Sequence, residues 1–225
     1  RTELRHITRR FVAELGDAIG PHTDVPAPDV YTNAQTMAWI YDTYDRMHPG
    51  GNNLAVVTGK PLDIGGSVGR DEATARGCWN ATEQLLKRGA VPGLHTLDGA
   101  RVAIQGFGNA GSVAARVFHN AGAKIVAVSD SRGGIASQVG LDPLSVLEHK
   151  RETGSVVGYS EAQTISNADL LAGDCDILVP AALECQVTES NAGDVRASLI
   201  VEAANGPLTA AADRVLSRKG VVVLP

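Results

Sequence analysis

The sequence predicts an α/β fold, in which a doubly wound parallel sheet follows a helical strip of a second domain. Short apolar runs alternate with helical patterns after residue 97. Strands that are apolar throughout and separated by helices pair in parallel, with helices covering both faces of the sheet. The predicted strands are residues 101–105, 124–129, 176–179, 199–203 and 221–224.

The helices between these strands carry recognisable end signals. The helix predicted over residues 143–152 has Asp142 as its N-cap, a proline in its first turn and Gly154 as its stop. We expect further helices after Thr188 and after Thr209, because both hydroxyls can cap a helix. The crossovers between parallel strands are expected to be right-handed.

The first part of the chain has a different, mainly helical pattern. Apolar residues at three- and four-residue steps predict an amphipathic helix over residues 3–19, and Asn33 can cap a second helix over residues 34–44. Residues 54–57 could form a short strand. Glycines and prolines between residues 58 and 66 break the chain again, which indicates a hinge between two domains.

We therefore divide the chain into residues 1–66, the end of one domain with the hinge, and residues 67–225, the domain that holds the sheet. The chain starts at Arg1, close to a helix start, and stops at Pro225, directly after an apolar strand. From these ends we expect a piece of a longer protein, with the sheet domain incomplete at its C-terminal end.

The composition argues against several classes of function. The chain is 44% hydrophobic and 20% charged, which is ordinary for a globular protein. Its net charge is −5 and it has no basic block, so nucleic acid is not expected as a partner. Its apolar runs are too short to span a bilayer and no signal peptide is visible, so we expect no membrane partner.

Cysteine and histidine spacing argues against a metal site. Cys78, Cys175 and Cys185 are far apart and lack the spacing of metal ligands. We predict that they are reduced core thiols of a cytoplasmic protein. The six histidines form no HExxH or similar cluster, so no metal is expected.

The most informative segment is a glycine-rich turn between the first predicted strand and a helical pattern over residues 112–121. In the pattern Gly106-x-Gly108-x-x-Gly111, the first glycine permits a tight turn, the second lets the backbone approach phosphates, and the third lets the helix pack on the strand. The helix N-terminus adds unpaired N–H groups and partial positive charge. The alternative is an ordinary glycine-rich turn. The pattern predicts a Rossmann-type dinucleotide site formed by Gly106, Phe107, Gly108, Asn109, Ala110 and Gly111.

The second predicted strand ends at Asp130, where an acid can accept hydrogen bonds from the adenosine ribose. We expect Ser131 to bind the coenzyme at the same end. A carboxylate repels a 2′-phosphate and favours NAD, whereas Arg132 could pair with that phosphate. The sequence therefore predicts NAD or NADP as the coenzyme, with NAD slightly favoured.

Beyond the glycine-rich turn, several motifs resemble those of the glutamate dehydrogenases of the amino-acid dehydrogenase superfamily. The resemblance spans essentially the whole chain in the family's order. Its motifs are residues 20–33, 37–39, 42–44, 58–74, 105–111, 180–184 and 202–207. It implies an oxidoreductase that converts L-glutamate to 2-oxoglutarate and ammonia with hydride transfer to NAD or NADP, and that self-associates, usually as a hexamer.

The resemblance also implies what each domain does. Residues 1–66 would be the C-terminal part of the substrate domain, and residues 67–225 the NAD(P)-binding domain. The family's catalytic lysine would precede residue 1, and its serine for the substrate's side-chain carboxylate would follow Pro225. We therefore expect this segment alone to bind nucleotide weakly and to be inactive.

Two residues resemble substrate-handling groups of the family. Asp29 corresponds to its proton-transferring aspartate, since amine deprotonation and water attack need an acid/base group. By position alone, Asp29 is a turn residue that caps the following helix. Arg70 corresponds to a residue near the bound amino acid and could pair with a carboxylate, the alternative being a surface arginine at a helix start.

Other residues resemble groups that contact the coenzyme. Thr74 corresponds to a threonine that hydrogen bonds the nicotinamide amide. Asn205 follows a predicted strand and would lie near the nicotinamide ribose and the substrate, the alternative being a plain turn residue. Ala181 and Ala182 would flank the coenzyme at the same edge, although small residues also simply pack well.

Three positions qualify the resemblance. Lys60 is not assigned a catalytic role, because a lysine in a turn is more often solvated. Ala75 stands where the family commonly has glycine, and its methyl could crowd the nicotinamide end. Cys185 stands where asparagine or lysine is more usual.

Two alternatives to a glutamate dehydrogenase stay open. One is a non-catalytic dinucleotide-binding regulatory paralogue, and the other is a dehydrogenase for another amino acid. Fold alone does not separate them. Asp29, Thr74 and Asn205 together favour an enzyme, because a sensor has no need of an acid/base aspartate.

Overall fold

A computed structural model describes residues 2–29 and 31–225 of the chain. It forms two compact units, Arg1–Asp71 and Glu72–Pro225. The sequence places the division at residue 66, whereas the first unit of the structure extends to Asp71. Arg70 therefore lies in the first unit rather than in the sheet domain. No helix of the described residues is long and apolar enough to cross a membrane.

The first unit is built on two packed helices, α1 (Thr2–Leu15) and α2 (Ala34–Met47). The N-cap prediction for α2 is confirmed, because Asn33 Oδ1 accepts hydrogen bonds from two first-turn amides. The core of this unit contains Val12, Ile19, Met37, Ile40, Tyr44, Val56 and Val57.

Two predictions for the first unit are wrong in detail. The helix expected over residues 3–19 ends at Leu15 and continues as the 3₁₀ turn Gly16–Ala18. The strand expected over residues 54–57 is a 3₁₀ turn, Leu54–Val56, closed by a local hydrogen bond from Val56 N to the carbonyl of Asn53. The buried valines of this segment pack on helices, so no neighbouring strand pairs with it.

The second unit contains a seven-stranded sheet with five helices. The helices are α3 (Ala73–Lys87), α4 (Asn109–Asn120), α5 (Pro143–Thr153), α6 (Asn167–Leu171) and α7 (Ala210–Arg218). The strands are β1 (Arg101–Gln105), β2 (Lys124–Asp130), β3 (Gly133–Ala136), β4 (Gln163–Ile165), β5 (Ile177–Pro180), β6 (Leu199–Val201) and β7 (Val222–Leu224).

The strand order is β4-β3-β2-β1-β5-β6-β7. The five strands from β2 to β7 in that order are parallel, and these are the five that the sequence predicts. Strand β3 and the edge strand β4 were not expected; β3 runs antiparallel to β2, and β4 runs antiparallel to β3. Their signal is weak because β3 begins with two glycines and β4 has only three residues, two of them exposed.

Helices cover both faces of the sheet, which confirms the predicted α/β fold. Consecutive residues of β5 enter different cores: Ile177 and Val179 pack with α3, α4 and α5, whereas Leu178 packs with α6 and α7. Buried side chains therefore point both ways from the central strands. This explains why these strands are apolar along their whole length.

The predicted helix ends are confirmed at two places and wrong at a third. Asp142 caps α5 and Gly154 ends it, while Thr209 Oγ1 accepts the amide of Ala212 at the start of α7. No helix follows Thr188. There, Asn191 Oδ1 accepts the Thr188 N–H and Asn191 Nδ2 donates to the carbonyl of Gln186, so side-chain bonds hold the backbone in turns.

The cysteines do not all lie in the core. Cys175 is buried and Cys78 is partly buried, but Cys185 is exposed, with a positive φ of 54°. The expectation of three core thiols is therefore wrong for Cys185. It lies in a turn, where its N–H donates to the carbonyl of Gly206, and this places its side chain at the surface.

Candidate functional site

The carboxyl ends of four adjacent parallel strands meet at one edge of the second unit. β2, β1, β5 and β6 are neighbours in that order. Ligands of open α/β sheets bind beyond the carboxyl ends of the strands. The coenzyme-contact residues expected at the ends of these strands therefore come together at this edge. They are Gly106 to Gly111, Asp130, Ser131, Ala181, Ala182 and Asn205.

The three glycines after β1 have different surroundings. A Cβ on Gly111 would overlap the carbonyl oxygen of Gly106 and lie 2.9 Å from its carbon, and a Cβ on Gly106 would lie 2.8 Å from the carbonyl oxygen of Ala181. These two glycines are required by the packing of the chain itself. A Cβ on Gly108 would meet no atom within 4 Å. The open side of Gly108 is the approach that a pyrophosphate needs.

α4 begins inside the glycine-rich turn, at Asn109, three residues earlier than the sequence indicates. Its N-cap, Gly108, supplies no side chain to bind the first amides, which include those of Ala110 and Gly111. Those N–H groups have no intrahelical partner, and together with the helix dipole they have the chemistry to bind an anion. The residues therefore fit a dinucleotide pyrophosphate.

The ring of Phe107 is buried, and its backbone groups hold the turn in place. Its side chain is 2% exposed and lies in the core. Its N–H donates to the carbonyl of Ser129 at 2.6 Å, and its carbonyl accepts a hydrogen bond from Lys150 Nζ at 2.9 Å. Phe107 thus ties the turn to β2 and to α5. Any contact of Phe107 with a coenzyme would be made by its backbone.

Asp130, at the end of β2, is surrounded by donors of its own chain. Oδ1 accepts from Arg132 N at 2.9 Å and from Ser155 Oγ at 3.1 Å. Oδ2 accepts from Val156 N at 2.8 Å and lies 3.4 Å from Lys150 Nζ. Burial acts to raise the pKa of Asp130, but the two backbone amides and the nearby ammonium outweigh it, and the pKa lies below its ordinary value.

The loops after β5 and β6 are tied to each other. The N–H groups of Ala203 and Ala204 both donate to the carbonyl of Pro180, the last residue of β5. Ala182 and Asn205 are exposed, and Ala181 is partly buried. The two loops therefore present their exposed residues at the same sheet edge.

Thr74 lies in the first turn of α3 and is exposed. One turn later, Cys78 Sγ lies 3.8 Å from the carbonyl oxygen of Glu202, directly after β6. α3 therefore passes the end of β6. Ala75 is 2% exposed and packs in the core, so its methyl group lies inside the protein rather than at the surface with Thr74.

The start of α3 is held by an ion pair that the sequence analysis missed. Glu72 accepts hydrogen bonds from Arg116 on α4 and from Arg76 one turn along its own helix. The spacing of Glu72 and Arg76 is visible in the sequence as an i,i+4 pair. Nothing in the sequence signals Arg116, which is 44 residues away.

A buried polar cluster beneath the edge was also missed. Gln105 Nε2 lies 2.8 Å from Gln186 Oε1 and 3.2 Å from Asn167 Oδ1, and Ser129 Oγ donates to the same Asn167 oxygen. Gln105 Oε1 is buried with no hydrogen-bond partner. The cluster links β1 and β2 to α6 and to the loop after β5. Polar residues at the ends of two apolar strands are the only signal for it in the sequence.

In the first unit, Asp29 follows a stiff proline segment packed on a second motif. The ring of Pro28 packs against Gly59. A Cβ added to Gly59 would overlap Pro28 Cγ and lie 2.7 Å from Pro28 Cδ. Thr58 N donates to the carbonyl of Pro26 at 3.0 Å. The backbone of Asp29 is bound by Thr32, whose Oγ1 accepts from Asp29 N and donates to Asp29 O.

The side-chain cap of α2 is Asn33. Arg70 is exposed and its Nε donates to Thr58 Oγ1 at 3.4 Å. Within the first unit, Thr58 therefore contacts both Arg70 and the proline segment that leads to Asp29.

Lys60 is not solvated as expected. Its side chain is 8% exposed and Nζ donates to the carbonyl of Val57 at 2.9 Å. Burial lowers the pKa of Lys60. The local turn folds the side chain back over its own segment, which the sequence does not reveal. Across residues 2–29 and 31–225, no cluster of His, Cys, Asp or Glu could hold a metal ion.

Comparison with known proteins identifies the family. Residues 65–225 match the family described as Glutamate/Leucine/Phenylalanine/Valine dehydrogenase, and residues 1–46 match the Glu/Leu/Phe/Val dehydrogenase dimerisation domain. The chain is 48% identical over 229 residues to a glutamate dehydrogenase of Thermotoga maritima, an alignment that covers 100% of this chain and 53% of the relative.

Solved structures agree with this assignment. The hetero-hexameric glutamate dehydrogenase of Thermus thermophilus superposes with a TM-score of 0.91 at 39% identity, over 100% of this chain and 52% of that one. The glutamate dehydrogenase of Peptoniphilus asaccharolyticus gives a TM-score of 0.73 at 32% identity, with 100% and 52% covered. The chain spans about half the length of these relatives. It belongs to the Glutamate/Leucine/Phenylalanine/Valine dehydrogenase family.

Proposed function

We propose that the protein carrying this chain is a glutamate dehydrogenase that converts L-glutamate reversibly to 2-oxoglutarate and ammonia with NAD or NADP. The observation that carries the proposal is the open side of Gly108 at the start of α4, in a turn whose other two glycines, Gly106 and Gly111, are closed in by backbone. The names of the similar proteins, all glutamate dehydrogenases, support the choice of substrate.

The second unit would act as the NAD(P)-binding domain, with the coenzyme along the edge just described. Backbone amides from Gly106 to Gly111 would bind the pyrophosphate, and Asp130 and Ser131 would form the adenosine end. Ala181 and Ala182 leave room beside the strands, while Thr74 and Asn205 would orient the nicotinamide end. When bound, the nicotinamide ring supplies the hydride acceptor. The protein's contribution is position and the exclusion of competing reactions.

The first unit would supply the substrate-domain residues. Asp29 would take a proton from the substrate amine, release it to solvent, and then take one from the attacking water, a role that needs a fixed carboxylate. The packing of Pro28 on Gly59 supports this role, because it holds the preceding backbone in place. Arg70 would pair with a carboxylate of the amino acid. Its contact with Thr58 supports a fixed position for the guanidinium.

We also propose self-association, and the related Thermus thermophilus protein is described as a hetero-hexamer. The match to a dimerisation domain over residues 1–46 supports assembly through the first unit. Free cysteines at positions 78, 175 and 185 suit a reducing compartment, so we propose the cytoplasm as the location.

The test is coenzyme binding and turnover by the full-length protein with Gly108→Val. Its φ of −96° suits any residue, so the variant should fold, while the new side chain blocks the approach of the pyrophosphate. We expect the NADH dissociation constant to rise at least about 100-fold and turnover of glutamate to fall with it. Gly193→Val is the matched control, since a Cβ there also meets open space.

Each outcome has a distinct meaning. Unchanged NADH affinity in Gly108→Val contradicts the proposed coenzyme site. Coenzyme binding by the wild type without turnover of any amino acid indicates the regulatory paralogue instead. Turnover of a different amino acid in preference to glutamate corrects the substrate alone.

A further inference from the structure

Gln105 is the last residue of β1, and its side chain has no role in the proposal above. It is 2% exposed and lies beneath the sheet edge proposed for the coenzyme. Its Nε2 donates to Gln186 Oε1, in the loop after β5, at 2.8 Å. Gln186 Nε2 in turn donates to the carbonyl of Glu184, so Oε1 is the end of Gln186 that faces Gln105. The bond between the two amides therefore has one direction.

The link continues from Gln186 into the loop after β6. The Gln186 N–H donates to the carbonyl of Pro207 at 2.8 Å, and the Cys185 N–H donates to the carbonyl of Gly206 at 3.0 Å. These two carbonyls belong to the residues directly after Asn205. Pro207 is buried, whereas Asn205 and Gly206 are exposed. The loop after β6 is thus held from below while Asn205 is presented at the sheet edge.

The two donors of the Gln105 amide are paired, but its oxygen is not. Nε2 also lies 3.2 Å from Asn167 Oδ1, at the start of α6, so it faces two oxygens. Oε1 is buried with no hydrogen-bond partner among the described residues. An unpaired buried oxygen is unfavourable, and an apolar side chain of similar size would avoid that cost. What only the amide contributes is a fixed link from β1 to the loops beside it.

The strand order puts these loops at the nicotinamide end of the proposed site. Asp130, proposed for the adenosine end, follows β2, which lies on one side of β1. β5 and β6 lie on the other side of β1. A dinucleotide that crosses the glycine-rich turn after β1 therefore has its second half beyond β5 and β6.

We propose that Gln105 is a positioning residue: through Gln186 it fixes the loop after β6 and so holds Asn205 where the nicotinamide ribose binds. The inference rests on the proposed coenzyme site. Because Gln105 is buried, it acts through Asn205 rather than by contact with the coenzyme. Without the amide bond, Gln186 is free to turn towards solvent, and the loop after β6 loses one of its ties to the sheet.

The test compares the binding of NADH and of ADP to the full-length protein by calorimetric titration. ADP keeps the adenosine and both phosphates but lacks the nicotinamide and its ribose. The variant is Gln105→Met, which keeps the length of the side chain and removes the N–H donors. We expect the dissociation constant of NADH to rise about tenfold and that of ADP less than about twofold, because only NADH extends to the loop after β6.

Turnover of glutamate gives a readout that a merely structural role would not move. The KM for the coenzyme should rise about tenfold in Gln105→Met, whereas a loss of folded protein lowers kcat and leaves that KM unchanged. Gln138→Met is the matched control, since Gln138 is exposed in the turn after β3. It should leave both dissociation constants and the KM unchanged.

Gln186→Met breaks the same bond from its half-buried end, and it decides the question if Gln105→Met does not fold. Each single variant and the double variant should show the same selective loss of NADH binding, because the two residues share one bond. Parallel losses of NADH and ADP binding, or unchanged binding of both, overturn the inference. A wild type that binds neither ligand contradicts the coenzyme site itself. Unselective variants of a wild type that binds both contradict only the role of Gln105.

Discussion

In both the glycine-rich turn after β1 and the proline segment before Asp29, a glycine leaves space for another part of the chain. The two cases differ in how far apart the contacting residues are in sequence. In the turn, Gly111 leaves space for the carbonyl of Gly106, five positions back along the chain. In the first unit, Gly59 leaves space for the ring of Pro28, which is far away in sequence. The contact between Gly106 and Gly111 belongs to a local pattern that can be recognised in a sequence. The contact between Pro28 and Gly59 is revealed only by the structure, in which two distant segments pack together.

The comparison predicts different costs for adding one methyl group. Gly111→Ala should have the largest effect, about 3 kcal/mol or more of unfolding free energy, because its Cβ overlaps backbone that cannot rotate away. Gly108→Ala, in the same turn, should change stability by less than about 0.5 kcal/mol. Urea unfolding followed through Trp79, on α3 of this unit, measures both in a Trp39→Phe background. Similar costs for the two alanines would contradict the packing described.

A smaller effect is expected at the long-range position. Gly59→Ala must accommodate both a φ of +67° and contact with the Pro28 ring, which can shift slightly, so we expect a loss of about 2 kcal/mol. Gly50→Ala is the control, with a φ of +83° and open space, and should cost about 1 kcal/mol. Urea unfolding followed through Trp39 fluorescence, in a Trp79→Phe background, measures the loss of stability in Gly59→Ala and in Gly50→Ala. Equal losses would mean that Pro28 does not constrain Gly59.

The smallest effect concerns Glu72, which has one local and one distant partner. Arg116→Met should destabilise the second unit by about 1 kcal/mol, and Arg76→Met by about 0.3 kcal/mol, since the i,i+4 pair is more exposed. If α4 positions the start of α3, Arg116→Met should also weaken NADH binding more than ADP-ribose binding, because Thr74 is proposed to act at the nicotinamide end. Calorimetric titration with both ligands checks this. Parallel losses for the two ligands would count against positioning.

Local patterns account for most of what could be predicted. The five parallel strands are predicted because each is apolar enough for burial on both faces. The caps at Asn33, Asp142 and Thr209 are predicted because each acts on amides within three residues. The failures involve competition from other contacts. Side-chain bonds around Asn191 replace a helix, and helix packing of two valines replaces a strand.

The candidate site divides in the same way. The glycine spacing and the position of Asp130 can be recognised directly, since both are defined by distance along the chain. Two of the three hydrogen-bond donors to Asp130, Ser155 and Val156, and its ion-pair partner Lys150 come from distant parts of the chain, and no pattern connects them to β2. The burial of Lys60 likewise depends on a fold of its own segment that residue type does not encode.

The sequence by itself determined the α/β class, the parallel core of the sheet and the place of the dinucleotide motif, because periodicity, capping and glycine spacing act over a few residues. Only the tertiary structure decided which polar groups are occupied. Hydrogen bonds and charge pairs form between segments that the fold brings together, and the energy of each depends on burial and on partners from elsewhere in the chain. For Asp130 this distinction separates a carboxylate that looks available to a ribose from one that already accepts three hydrogen bonds and pairs with an ammonium of its own protein.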